Sequence, residues 1–204
     1  MYETLTKFIE KFDGLKPNDC GKAYGDVLLF SKAVNEFVRT NYARDMKNYN
    51  FILAARSKDF LVKDLSEVKF SALDRETVIA LLVKLVKGDA RFLMRAVTDG
   101  TVVKYLNRLK AIDSFIPNQE DIIAAHKHSS HHRKELQKLQ ICGCFCCCKT
   151  FSSQKIDYWY DEHMACCPYC CIDSVIGESS GYEVTEEFLI AMEDHWFGLR
   201  RRYE

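Results

Sequence analysis

Nine of the ten cysteines in this chain fall between residues 142 and 171. The first group reads Cys142-Gly-Cys-Phe-Cys-Cys-Cys148 and the second Cys166-Cys-Pro-Tyr-Cys-Cys171. Thiols this dense bind metal, pair as disulfides or lie buried as free thiols. Nine is an odd number, so they cannot all pair. The start, Met1-Tyr-Glu-Thr-Leu-Thr-Lys-Phe8, lacks the apolar run of a secretory signal, and Val78 to Val86, interrupted by Lys84, is too short to span a bilayer. The reading is a cytoplasmic protein, where clustered cysteines mean metal more often than disulfides.

Structural zinc takes four soft ligands in a tetrahedron, and a C-x2-C turn aims two sulfurs at one ion. Cys144 with Cys147, and Cys167 with Cys170, form two such pairs separated by the 19 residues 148–166. That spacing suits a four-cysteine site, and Pro168 stiffens the second turn. The expected cofactor is therefore one structural Zn2+ held by Cys144, Cys147, Cys167 and Cys170. Competing registers pair Cys142 with Cys146 or bring in Cys166, and His163 could replace one cysteine. An iron–sulfur cluster fits the known spacings less well.

The rest of the chain reads as mainly α. Helices are expected over about 2–12, 24–43, 49–56, 74–87, 89–98 and 101–112. Their apolar faces are marked by Leu5, Phe8, Ile9 and Phe12, by Val27, Phe30, Val34, Phe37 and Val38, by Phe51, Ile52 and Ala55, by Val78, Leu81, Leu82 and Leu85, by Phe92, Leu93, Ala96 and Val97, and by Val102, Leu106, Leu109 and Ile112. Pro117 marks a boundary between a helical domain, 1–116, and a zinc-binding domain, 117–204. In the latter, Asn118 and Thr185 are candidate helix caps, a polar helix is expected over about 131–140, and Phe188, Leu189, Met192 and Trp196 line a last helix. The spacer holds Phe151, Ile156, Tyr158, Trp159 and Tyr160, enough for two short strands. Knuckle, hairpin, knuckle and helix make a small α+β module of zinc-ribbon or treble-clef type. Arg200-Arg-Arg-Tyr-Glu204 reads as a solvated tail.

Residues from about 122 to 197 resemble an uncharacterised bacterial family of cytoplasmic proteins. The resemblance is carried by His126-Lys-His-Ser-Ser-x-His-Arg133, Cys142-Gly-Cys-Phe-x-Cys147, Cys167-Pro-x-Cys170, Ile172-Asp-Ser-Val-Ile-Gly177 and Trp196-Phe197. It implies the same four ligands. Cys146, Cys148, Cys166 and Cys171 depart from the pattern, Cys171 standing in place of a glycine. Residues from about 24 to 113 are similar to another uncharacterised bacterial helical domain, through 74–82, Gly88-Asp-x-Arg-Phe92 and Leu106-x-Arg-Leu109. Neither resemblance brings a mechanism.

Lysine plus arginine equals aspartate plus glutamate, 29 each, so no overall field draws the chain to nucleic acid or anionic membrane. The leading expectation is a zinc-stabilised protein acting through a protein partner, with a regulatory, immunity or defence role. The first alternative is a nucleic-acid-binding or nuclease-like protein, in which His126, His128, His131 or His132 activates water with help from Asp173. The second is a thiol redox sensor using the surplus cysteines. A closed four-cysteine site offers no open position to substrate, so the balance lies against an enzyme.

Overall fold

The computed structural model describes residues 2–41 and 45–198. It is mainly helical, with a small antiparallel sheet toward the C-terminus. The chain divides into two compact units, one of residues 1–56 with 75–114, the other of 57–74 with 115–204. The second unit thus takes in 57–74, which a boundary at Pro117 leaves in the first.

In the first unit the expected helix over 2–12 is two single turns, α1 (Glu3–Thr6) and α2 (Ile9–Phe12), with Leu5, Phe8 and Phe12 buried. Phe8, Phe12 and Phe30 form an aromatic nucleus with ring centroids 5.3 to 5.6 Å apart. Phe30 lies on α3 (Cys20–Asn41), whose Val27, Phe30, Val34 and Phe37 follow the three- and four-residue spacing of a core stripe. This helix starts earlier than expected, directly after the turn Pro17–Asp19, and side chains at Gly21 or Gly25 would meet open space. Residues 42 and 43, the expected end of this helix, lie outside the described residues.

Next come α4 (Tyr49–Asp59), α5 (Arg75–Lys87), α6 (Ala90–Thr98) and α7 (Thr101–Asp113). Asp89 caps α6 by accepting from the Arg91 N–H at 2.8 Å, and Gly100, at φ +81°, turns the chain into α7. Two apolar assignments fail. Phe51 is 76 % and Phe92 65 % exposed, because Leu53 on α4 and Leu93, Ala96 and Val97 on α6 take the inward positions.

The second unit contains α8 (Gln119–His126), α9 (Arg133–Leu136) and α10 (Glu186–Trp196). Asn118 accepts from the Glu120 N–H at 3.2 Å, and the Thr185 hydroxyl accepts from the Phe188 N–H at 3.3 Å, so both caps form. The polar helix expected over 131–140 is a single turn. His131, at φ +52°, leaves the right-handed region just before it, and Gln140 begins the approach to the sheet. The tail 200–204 lies outside the described residues.

Strand β1 (Ile141–Cys144) is central, between β2 (Thr150–Ser152) and β5 (Val175–Gly177), antiparallel to both. A separate hairpin joins β3 (Trp159–Tyr160) to β4 (Met164–Ala165). One face of this region packs Phe145, Ile176 and Val184 with Phe188, Leu189 and Met192 of α10. On the other, Cys142, Phe151, Ala165 and Val175 surround the sulfurs. Gly143 has no room for a side chain: a Cβ there would stand 2.5 Å from Val184 and 2.6 Å from Leu189.

Candidate metal centre

Both C-x2-C pairs sit on turns. Cys144 ends β1, and Cys147 lies in the turn toward β2. Cys167 and Cys170 lie between β4 and β5. Each knuckle thus links two strands, the first β1 to β2 and the second β4 to β5.

The two knuckles are built alike. The Cys146 N–H donates to the Cys144 sulfur at 3.4 Å, and the Tyr169 N–H donates to the Cys167 sulfur at 3.4 Å. The Cys144 N–H reaches the Lys149 carbonyl at 3.0 Å, and the Cys167 N–H reaches the Ile172 carbonyl at 2.9 Å. Each turn then closes on a cysteine with left-handed backbone, Cys148 at φ +57° and Cys171 at φ +61°.

The folded knuckles converge. The sulfurs of Cys144, Cys147, Cys167 and Cys170 all lie within 4.8 Å of one another. Cys144 is 3.6 Å from Cys170, and Cys147 is 3.6 Å from Cys167. A disulfide would need about 2.05 Å, and all ten cysteines are free thiols. A tetrahedron of sulfurs bonded at about 2.3 Å to one ion has edges of about 3.8 Å. The set therefore fits a single metal ion and is too tight for thiolates spread over the irons of a cluster.

The electrostatics agree. The Cys147 and Cys167 thiols beside Cys144 hold its pKa far down, and the same contacts push Cys147 and Cys167 up. Without a cation, four thiolates cannot coexist in so small a space; a bound dication would supply the missing charge. The Ser174 hydroxyl, 3.2 Å from the Cys144 sulfur, adds a further polar contact.

The other clustered cysteines are not part of this set. Cys142 is fully buried beside Leu136 and Phe151, and burial raises its thiol to about 12. Cys148 is buried against Phe145 and α10. Cys166 is buried, and its N–H donates to the Tyr158 carbonyl at 3.0 Å. Cys171 is exposed, and His163 is exposed and faces His131.

The four histidines ahead of the knuckles do not converge. His126 stacks on Trp196 at 3.9 Å, and Trp196, expected on the core face of the last helix, is 39 % exposed. His128 points its Nδ1 at Glu135, 3.3 Å away. His131 lies against His163 with ring centroids 6.2 Å apart. His132 is close enough to feel the charges of Glu135 and Asp173, but it is 1 % exposed. Its Nε2 accepts the Ala165 N–H at 3.0 Å, which places the ring proton on Nδ1 and ties 126–136 to the β3–β4 hairpin.

The sequence also gave no sign of a polar anchor beside the second knuckle. Tyr169, between Cys167 and Cys170, donates its hydroxyl to the Asp59 carboxylate, and Lys155 lies 2.9 Å from both groups. Lys149 covers the Tyr169 ring at 4.6 Å. This anchor fixes 57–74 to the second knuckle, over 100 residues away in sequence. Among the described residues no helix is long and apolar enough to cross a membrane. No protein-family model, curated protein or solved structure matches the chain.

Proposed function

We propose that this is a cytoplasmic zinc-stabilised protein that works through contact with a protein partner. The observation that carries the metal part is the closed set of four sulfurs within 4.8 Å, contributed by two matching turns. Four thiolates at tetrahedral spacing select zinc among common intracellular dications, and they leave no coordination position for a substrate. The ion's role is then to hold the turns, and through them β1, β5 and the Tyr169 anchor. Such small modules depend on the metal for folding.

The partner part rests on exposed aromatic groups at the β3–β4 hairpin. Tyr158 is 62 % and Tyr160 55 % exposed on either side of Trp159, whose ring is covered by the Arg133 guanidinium at 4.9 Å. Aromatic residues held rigidly at a surface are typical anchors of protein interfaces. They would also suit base stacking, but 29 basic against 29 acidic residues give no excess charge to hold a phosphate backbone.

Elemental analysis of the purified chain should find one zinc, and a chelator should unfold the second unit. Affinity capture from the source cell should recover a stoichiometric protein that is lost with Tyr158→Ser/Tyr160→Ser, a variant that keeps its zinc. Salt-sensitive retention on DNA or RNA, with no protein recovered, would favour the nucleic-acid reading instead.

A further inference from the structure

A groove of about 670 Å3 lies between the start of α3 and α6, wholly within the first unit. Helix spacing builds its walls. Cys20 and Tyr24 stand one turn apart on α3, and Ala90, Met94 and Thr98 follow the same spacing on α6. Pro17 adds to the lining from the turn before α3. Leu93, Ala96 and Val97 take the inward positions of α6, which leaves this flanking row uncovered. Ala90 is exposed, Met94 is half-buried, and Tyr24 is 59 % exposed. Along α6 the lining runs from Ala90 to Asp99, about 13 Å at the rise of an α-helix. The volume falls in the range of small-molecule sites.

Most polar groups on this lining are already engaged. The Cys20 thiol donates to the Pro17 carbonyl at 2.9 Å. The Thr98 hydroxyl turns back onto its own helix, 3.1 Å from the Met94 carbonyl and 3.2 Å from that of Arg95. Arg91 is held by the Asp89 carboxylate at 2.7 Å, and Asp99 accepts the Thr101 N–H at 3.0 Å. Arg95 differs: its exposed guanidinium has no ion-pair or hydrogen-bond partner among the described residues. An apolar trough with one unpaired guanidinium complements a ligand with an apolar body and one negative head. A carboxylate matches the guanidinium fork with two parallel N–H···O bonds. A dianionic phosphate would leave half its charge unmatched there.

From these observations we infer that the groove binds a small amphipathic monocarboxylate, with an unbranched acyl chain laid against Tyr24, Ala90 and Met94 and its carboxylate on Arg95. The apolar walls supply the affinity, and the guanidinium selects the charged head. Binding is non-covalent. It uses none of the clustered cysteines, so it stands independently of the metal reading.

The test titrates the purified full-length chain by calorimetry with octanoate, whose extended chain fits within the groove, and with octanol and acetate beside it. The expected result is saturable binding of one octanoate per chain, octanol bound about tenfold more weakly, and no measurable binding of acetate. Arg95→Gln should bind octanoate about tenfold more weakly than the parent and octanol equally well, which separates loss of the head contact from loss of the fold. Ala90→Trp places a large side chain in the trough at an exposed position and should abolish binding of both, with an unchanged circular dichroism spectrum. Tyr24→Ala removes one wall and should weaken both together, a reading that holds if Ala90→Trp disturbs α6. Leu29→Ser, exposed on α3 but outside the lining, should bind as the parent does. Absence of saturable octanoate binding, equal octanoate affinity in Arg95→Gln and the parent, or binding untouched by Ala90→Trp and Tyr24→Ala would overturn the inference.

Discussion

Cys148 and Cys171 occupy the same place in the two knuckles: each directly follows the last cysteine of a C-x2-C pair, and each has left-handed backbone, at φ +57° and +61°. Glycine suits this conformation, and other residues pay a steric cost of about 1–2 kcal/mol in it. The two positions differ in what the side chain does. Cys148 is buried against Phe145 and α10, whereas Cys171 is exposed. Cys171→Gly should therefore stabilise the second unit by about 0.5–1 kcal/mol after allowing for glycine's greater freedom in the unfolded chain. Cys148→Gly should be neutral or destabilising, because packing is lost. Urea unfolding of the zinc-loaded variants decides this; equal effects at both sites would refute it.

The four clustered sulfurs should behave as a unit. Serine at Cys144, Cys147, Cys167 or Cys170 should abolish stoichiometric zinc binding and unfold the second unit, while serine at Cys142 or Cys171 should leave one zinc per chain. Metal content paired with circular dichroism reads both effects. Retained zinc in Cys144→Ser would show that the site is not closed by these four residues.

Gly143 sets a limit from the other side of β1. A methyl group there would collide with Val184 and Leu189, and neither can withdraw easily from a packed core. Gly143→Ala should cost about 1–3 kcal/mol, the usual penalty of overpacking. Restoring space with Leu189→Ala in the same chain should recover part of that loss, so the double variant should be less unstable than the sum of the two single effects. Strict additivity would disprove the proposed clash.

Much of this centre was legible in the sequence, because C-x2-C spacing carries its own geometry: four of nine clustered cysteines could be picked out by two turns alone. The helices read well where an apolar stripe met a capping residue, as at Asn118 and Thr185. Failures have local causes. Phe51 and Phe92 are large and apolar, yet neighbours on α4 and α6 take the inward positions, and periodicity alone does not say which of two adjacent stripes faces the core. The helix expected over 131–140 starts late because His131 adopts a left-handed backbone, which helical periodicity does not reveal, and is only the single turn Arg133–Leu136 before the chain enters β1 at Ile141. The Asp59–Tyr169 contact depends on tertiary folding across 110 positions and has no local signature.

His132 supplies the pH dependence. Burial lowers its pKa from the usual 6.5, while the charges of Glu135 and Asp173 and the backbone carbonyls nearby oppose that shift without reversing it. A folded-state pKa below the unfolded value means that the unfolded chain takes up the proton first. Stability is thus complete above about pH 6.5 and is lost as pH falls toward the folded pKa, with a slope of at most about 1.4 kcal/mol per pH unit from this one group. His126, also lowered by burial and by His195, contributes in the same direction. His132→Gln can still accept the Ala165 N–H but carries no titrating ring. Its stability should fall less steeply than the parent's between pH 6.5 and 5.5, while acid loss of zinc from the thiolates is common to both proteins and cancels in the comparison. Parallel urea-unfolding curves for the two proteins across that range would show that His132 does not titrate with folding.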